Sequence, residues 1–173
     1  AEMLRDKIKM LELRLMEMIR HGNENAHTEA KLQPWTLPML RTSHASDMPQ
    51  RIARQLELHF TVPQTAIRIW RMSSLFAQDS YTQGVSDDSK VFASSLSGCY
   101  CGANPDFEAA QWLPHPEQAL SMALLPLRQT GQADAFGLLV LASPDPQRFA
   151  ADMGTDFLQR IADIASAALS RLL

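Results

Sequence analysis

Residues 121–173 read SMALLPLR (121–128), QTGQAD (129–134), AFGLLVLAS (135–143), SPDPQRFAADMGT (143–155) and DFLQRIADIASAALSRLL (156–173). The first and third segments are apolar runs of strand length joined by a polar turn, which predicts two consecutive strands. Gly137 stands inside the second run, where a glycine marks close backbone approach; the expectation is a central strand packed against a helix. In the last segment Phe157, Leu158, Ile161, Ile164, Ala165, Ala168, Leu169 and Leu172 recur at helical spacing and predict an amphipathic helix. No catalytic motif falls in this third of the chain, so it speaks to architecture rather than to chemistry.

The chain has 173 residues, enough for one well-buried domain and an accessory helix. Its formal net charge is -3, and 46% of its residues are hydrophobic. That composition gives no basic excess to attract phosphate backbones, and sequence-independent nucleic-acid binding is not expected. No apolar run approaches the roughly 18 residues that a membrane helix requires, so a cytoplasmic protein without membrane contact is expected. Cys99 and Cys101 are too few and too close for a disulfide framework, and reduced thiols are the simplest reading. The pattern is already helical at Ala1, which suggests a fragment of a longer protein.

Toward the N-terminus Leu4, Ile8, Leu11, Leu15 and Met18 alternate steps of four and three, the spacing of a coiled-coil seam, with Arg5, Asp6, Lys9, Glu12 and Arg14 between them. These five residues are the expected dimerisation surface of a helical stalk over residues 1–42. Met3, Met10 and Met16 read as adaptable helix packing, and His21 and His27 as solvated. Gly22, Asn23 and Asn25 weaken the seam, and Pro34 predicts a kink or restart. A second domain, residues 43–173, opens with a helix carrying Met48, Ile52, Leu56 and Phe60 at four-residue steps, with Ser46 and Asp47 as its cap. AIRIWRM (66–72) then supplies a strand with Ile67 and Ile69 on one face and Arg68 and Trp70 on the other. From Ser73 to Pro116 the pattern dissolves. A stretch longer than about 15 residues without regular structure is often functional, so this segment is the candidate ligand cover.

Several constellations bear on chemistry. Arg68 and Arg71 could grip an anion while Trp70 stacks; the competing reading has Trp70 covering the sheet and the arginines reaching solvent. Phe92, Phe107 and Trp112 read as anchors of the cover. Cys99 and Cys101 with His115 offer two thiolates and an imidazole, but one residue separates the cysteines and a fourth ligand is missing, so no metal is assigned. A cysteine nucleophile needs a base, and no local pattern ties His44, His59 or His115 to either thiol. Small side chains around a tight, glycine-bounded turn is the simplest account of GCYCG (98–102).

The order strand, polar turn, glycine-containing strand, loop with an aromatic and terminal helix resembles the closing pattern of GAF domains. It is carried by Met122-Ala123-Leu124-Leu125-Pro126-Leu127, Phe136-Gly137-Leu138-Leu139-Val140-Leu141, Phe149 and the helix after Asp156. More specifically, Gly137 to Ser143 with Asp145, Arg148-Phe149, Met153-Gly154-Thr155 and Phe157-Leu158 is similar to the small bacterial GAF-like family of domain of unknown function 484. Cys101-Gly102 is similar to a pair in the middle of that family. The resemblance runs from the coiled-coil start to the end of the chain. It implies a mixed α/β (α+β) fold in which a twisted antiparallel sheet is flanked by helices, preceded by a stalk that pairs two subunits. GAF relatives bind small molecules such as cyclic nucleotides or chromophores between sheet and cover, while others serve as dimerising spacers.

The expected object is therefore a non-enzymatic sensory or scaffolding module, homodimeric through its stalk, with no cofactor or metal. The terminal helix is expected beside that stalk. A first rival is a signalling sensor holding an unidentified small molecule under residues 73–116, with Arg68, Trp70, Phe92, Cys101 and Trp112 as candidate contacts. The second is a thiol-dependent redox protein centred on Cys99 and Cys101. A protein partner fits the scaffold.

Overall fold

The computed structural model describes residues 1–73, 75, 79–152 and 154–173; within the first helix the side chains of residues 21, 24, 25 and 27–29 are outside that description. The expected solvation of His21 and His27, and the family-like position Met153, therefore lie outside the described residues.

Helix α1 spans Glu2–Glu29 and runs without a break through Gly22 and Asn23. Its heptad residues lie in solvent, Leu4 at 66%, Ile8 at 55%, Leu11 at 62%, Leu15 at 57% and Met18 at 70% exposure. The chain turns at residues 30–31 and restarts as α2, Leu32–Leu40. Pro34 falls in the first turn of α2, where its missing N–H would have had no helical partner. Trp35 and Met39 point inward from α2, and the Trp35 indole N–H donates to the Ile52 carbonyl at 3.4 Å.

Helix α3, Met48–Phe60, buries Met48, Ile52, Leu56 and Phe60 as their spacing predicts. The expected cap is absent: Asp47 takes the N-cap position with helical backbone angles and makes no side-chain cap bond. Pro49 explains part of this, because it removes a donor that a capping oxygen would have met. Thr61 ends the helix with φ 52 and turns the chain into strand β1, Gln64–Ile69.

Strands β2 (Tyr100–Ala103), β3 (Ser121–Leu127) and β4 (Gly137–Ser143) complete a sheet of order β1-β4-β3-β2, antiparallel throughout. The GCYCG segment is thus a correction: it supplies an edge strand rather than a tight turn, with Cys101 opposite Ala123 and Gly102 opposite Met122. β3 and β4 are buried at every position, as inner strands covered on both faces should be. Pro126 is tolerated in an inner strand because β2 pairs only with Ser121 to Leu124, leaving that side of Pro126 without a partner. Between β1 and β2, inside the stretch where the sequence pattern dissolves, lies α4, Asp87–Ser95. Its N-cap is Ser86, whose hydroxyl accepts from the Ser89 amide at 3.1 Å.

One face of the sheet (Ile67, Ile69, Cys101, Ala123, Leu125, Leu127, Leu139, Leu141) packs on α2, α3 and helix α5, Asp156–Leu169. The other (Ala66, Trp70, Met122, Leu124, Leu138, Val140, Ala142) meets α4 and the 3-10 turn at Glu108–Trp112. α5 packs chiefly on β3, α2 and α3 rather than, as expected from sequence, beside the Leu4–Met18 stripe, because its apolar face completes the core. Gly137 also differs from its expected packing against a helix. A Cβ on Gly137 would sit 2.8 Å from the Arg68 carbonyl oxygen and 3.1 Å from Leu127 Cδ1, so the close approach is made by β1 and β3, not by a helix.

Candidate functional site

The cover over the second face is tied down by side chains that could otherwise have faced a ligand. Arg68 and Trp112 come together, the guanidinium 5.6 Å from the indole ring centre. Arg68 Nε donates to the Gln83 carbonyl at 3.0 Å and Nη1 to the Ile67 carbonyl at 2.9 Å, while Trp112 Nε1 donates to the Gly84 carbonyl at 3.1 Å. Both residues thereby hold segment 83–84 against β1. Ile67 belongs to an edge strand, so occupying its carbonyl also blunts that edge against strand addition.

Trp70 is buried on the sheet and its indole N–H donates to the Ala135 carbonyl at 2.8 Å. Arg71 reaches solvent in an ion pair with Asp134 at 3.0 Å. Trp70 and Arg71 border an open cleft of about 380 Å³, whereas Phe92 lines a different one of about 260 Å³ with Phe107 and Leu138. Phe92 packs at a tilt on Phe107 and Tyr100 meets it edge to face, ring centres 5.3 and 5.2 Å away. The Tyr100 hydroxyl, donating to the Ala103 carbonyl at 2.7 Å, lies where a Cβ on Gly102 would be, which accounts for the glycine of the Cys-Gly pair. Cys101 is on the opposite face, inside the α5-side core. The five candidate contacts are therefore spread over two faces of the sheet, with Arg68 and Trp112 in direct contact and Cys101 on the far face.

The thiols sit in apolar surroundings. Burial pushes the Cys99 thiol up to about 12, with Cys101 and Asp163 adding to the shift and Arg128 opposing it; burial alone pushes Cys101 up to about 11. Cys99 donates to Gln159 Oε1 at 3.7 Å. His115 is distant in role: its backbone pairs with the Gln64 amide and its ring faces Glu117 at 3.6 Å. Among the described residues, no three His, Cys, Asp or Glu side chains converge in a way that could hold a metal ion.

Two features were not foreseen. Glu108 accepts from the Ser86 hydroxyl at 2.6 Å and from the Ser89 hydroxyl, and these bonds hold its carboxyl below the ordinary range. They join the start of α4 to the 3-10 turn. Arg128 closes the other end of α4: Nη2 donates to the Leu96 carbonyl at 2.6 Å and the Ser94 carbonyl at 3.2 Å, and Nε to the Ala133 carbonyl at 2.8 Å. A cation at a helix C-terminus complements both the unpaired carbonyls and the helix dipole. Nothing near Arg128 in sequence announces this, because the carbonyls it meets at the end of α4 lie more than thirty residues upstream. Arg128→Met should destabilise the domain by about 2 kcal/mol, since the stem packs alike while charge-assisted bonds are lost. Urea unfolding would read this, and an unshifted midpoint would contradict it.

The sheet, its helical layer and its cover define a GAF-type fold, and solved GAF domains resemble it. The GAF domain from Acinetobacter phosphoenolpyruvate-protein phosphotransferase has a TM-score of 0.57 at 15% identity, covering 82% of this chain and 92% of that one. The phycoerythrobilin-bound GAF domain of a cyanobacterial phytochrome reaches 0.53 at 13%, covering 85% and 96%. Free methionine-R-sulfoxide reductase from Neisseria meningitidis, a structure with its substrate, gives 0.53 at 12%, covering 83% and 88%. At such identities the likeness is one of fold. The chain belongs to the family described as protein of unknown function, DUF484, whose model matches residues 2–173. Comparison with curated protein sequences gives no match. Among the described residues no helix is long and apolar enough to cross a membrane.

Proposed function

We propose that this chain is a non-enzymatic GAF-like scaffolding module of the sensory type, dimerising through α1. The observation that carries the reading is the bare heptad stripe: Leu4, Ile8, Leu11, Leu15 and Met18 are all more than half exposed, while the domain core contains none of them. A stripe of this length facing water is covered by a second copy most simply, because a matching seam is guaranteed by identity of sequence. In this reading α1 is the free stalk and α2 is its anchor, fixed by Trp35. Light scattering at micromolar concentration should return the mass of two chains; a single-chain mass at every concentration would sink the proposal.

The packing under the cover supports a scaffold over the sensor reading. Ala93, Ala109, Ala110 and Leu113 lie directly on Met122, Leu124, Leu138 and Val140, so the small alanines bring α4 and the 3-10 turn down onto the sheet. An open cleft of about 590 Å³ remains beside β1, lined by Arg68 and Trp112 with residues of α3, and the contact between those two side chains closes part of it. The thiols likewise argue against redox chemistry, since the thiolate is the reactive form and burial disfavours it at both positions. Iodoacetamide at pH 8 should alkylate the folded protein at least about tenfold more slowly than an unstructured cysteine peptide, with the rate climbing only toward pH 11. A rate matching the peptide would reopen the thiol reading. The stability effect has the same sign: both folded values exceed the ordinary 9.0, so the stabilisation is complete below that pH and is lost as pH rises through 11 to 12.

A further inference from the structure

On the α5 side of the sheet, away from the cover, lies a partly open, mainly apolar cavity of about 160 Å³ between the end of α3, the start of α2 and α5. Phe60, Val62, Phe149 and Phe157 form its walls, with the Phe60 and Phe157 ring centres 5.4 Å apart. Its charged lining residues are Lys31 and Arg148, and no carboxylate lines it. Arg148 is held in place by one donated bond, Nη2 to the Phe60 carbonyl at 2.7 Å, and by its position 5.4 Å from the Phe149 ring centre. Most of its fork stays available. The Lys31 side chain, half-buried, has no acceptor among the described residues.

Two cations beside an apolar chamber with no carboxylate among its described lining residues suit an amphipathic anion. Size narrows the choice: a cavity of about 150 Å³ walled by aliphatic and aromatic side chains accepts benzene, whereas drug-sized ligands need about 300 Å³ or more. Nucleotides and tetrapyrroles are too large. We propose that this cavity binds a small monocarboxylate whose body is a single aromatic ring or a branched chain of similar size, with the ring among the phenylalanines and the carboxylate at Lys31 and Arg148. Carboxylate suits the arginine fork, and the adjoining apolar wall strengthens the charge-assisted bonds. Lys31 belongs to the two-residue joint between α1 and α2, so the site lies at the base of the stalk.

The test is a methyl NMR titration of the full chain with phenylacetate, 2-phenylethanol and acetate. Phenylacetate should saturably shift the methyl signals of Val62, Leu158 and Ile161; the alcohol should bind at least about tenfold more weakly, and acetate should not shift them. Lys31→Gln, which breaks no described contact, should bring phenylacetate close to the alcohol's affinity. Val62→Phe, which fills the chamber, should abolish both. Equal affinity for acid and alcohol, shifts centred instead on Leu138, or unchanged phenylacetate binding by Lys31→Gln would each overturn the proposal. None of these readouts depends on the oligomeric state, so the site and the dimer stand or fall separately.

Discussion

Gly137→Val should lower the stability of the domain by about 3 kcal/mol, the upper part of the range for overpacking, because the atoms in the way are not free to move. A Cβ there would be 2.8 Å from the Arg68 carbonyl oxygen and 3.5 Å from Ile69 Cα, both backbone atoms of β1. Gly137 pairs with Ile69 on one side and Leu127 on the other, so the inner strand cannot shift away from one neighbour without pressing on the second. A side chain at the end of a flexible stem could rotate aside; a carbonyl already inside a ladder cannot. The valine branches add volume beside Leu127, which is fully buried. Denaturant unfolding with an unchanged slope should show the midpoint falling. Gly137→Ala should lie between wild type and valine, since it introduces the Cβ contact without the branches. If valine leaves the midpoint where it was, β1 does not approach β4 as closely as described.

The same glycine shows what could be read from the sequence and what could not. Two apolar runs, a turn and an amphipathic helix identify β3, β4 and α5 because burial on both faces demands continuous hydrophobicity, and a helix on a sheet demands a 3.6-residue period. That something approaches Gly137 was legible; that it is β1, nearly seventy residues earlier, was not. α4 and β2 were missed for a related reason. α4 buries only Ser89 and Ala93, and β2 is a four-residue edge strand, so neither leaves a periodic apolar signature. Their positions are fixed by Arg128, Glu108 and the Phe92–Phe107–Tyr100 cluster, contacts that join distant segments. Arg68 reads in the sequence as an anion grip or a solvated side chain, yet it holds the cover to β1 together with Trp112, whose reading as an anchor of that cover agrees with its bond to Gly84. The cavity at Lys31 and Arg148 escaped notice because its walls come from four separate segments.

Ile8→Glu combined with Leu15→Glu should convert a dimer into a folded monomer. Both residues take the same kind of position in the heptad, so in a parallel pair each glutamate would face its own copy across the seam. Burying a Leu or Ile stabilises by about 1.5–3 kcal/mol, and the substitution removes that gain at two of five seam positions in each chain. Opposed carboxylates then add the cost of desolvating like charges. A seam of about three heptads has little association energy to spare, so the pair should come apart at micromolar concentration. The domain itself should be unaffected, since no described side chain of α1 belongs to its core and the attachment through Trp35 and Met39 is downstream. Light scattering reads the mass and near-ultraviolet circular dichroism reads the packing around Trp35 and Trp70. A monomer with an unchanged spectrum is the expected result. If the doubly substituted chain keeps the mass of two chains, α1 is not the principal interface; if it loses its tertiary spectrum, α1 supports the fold of its own domain and the bare stripe has a different meaning.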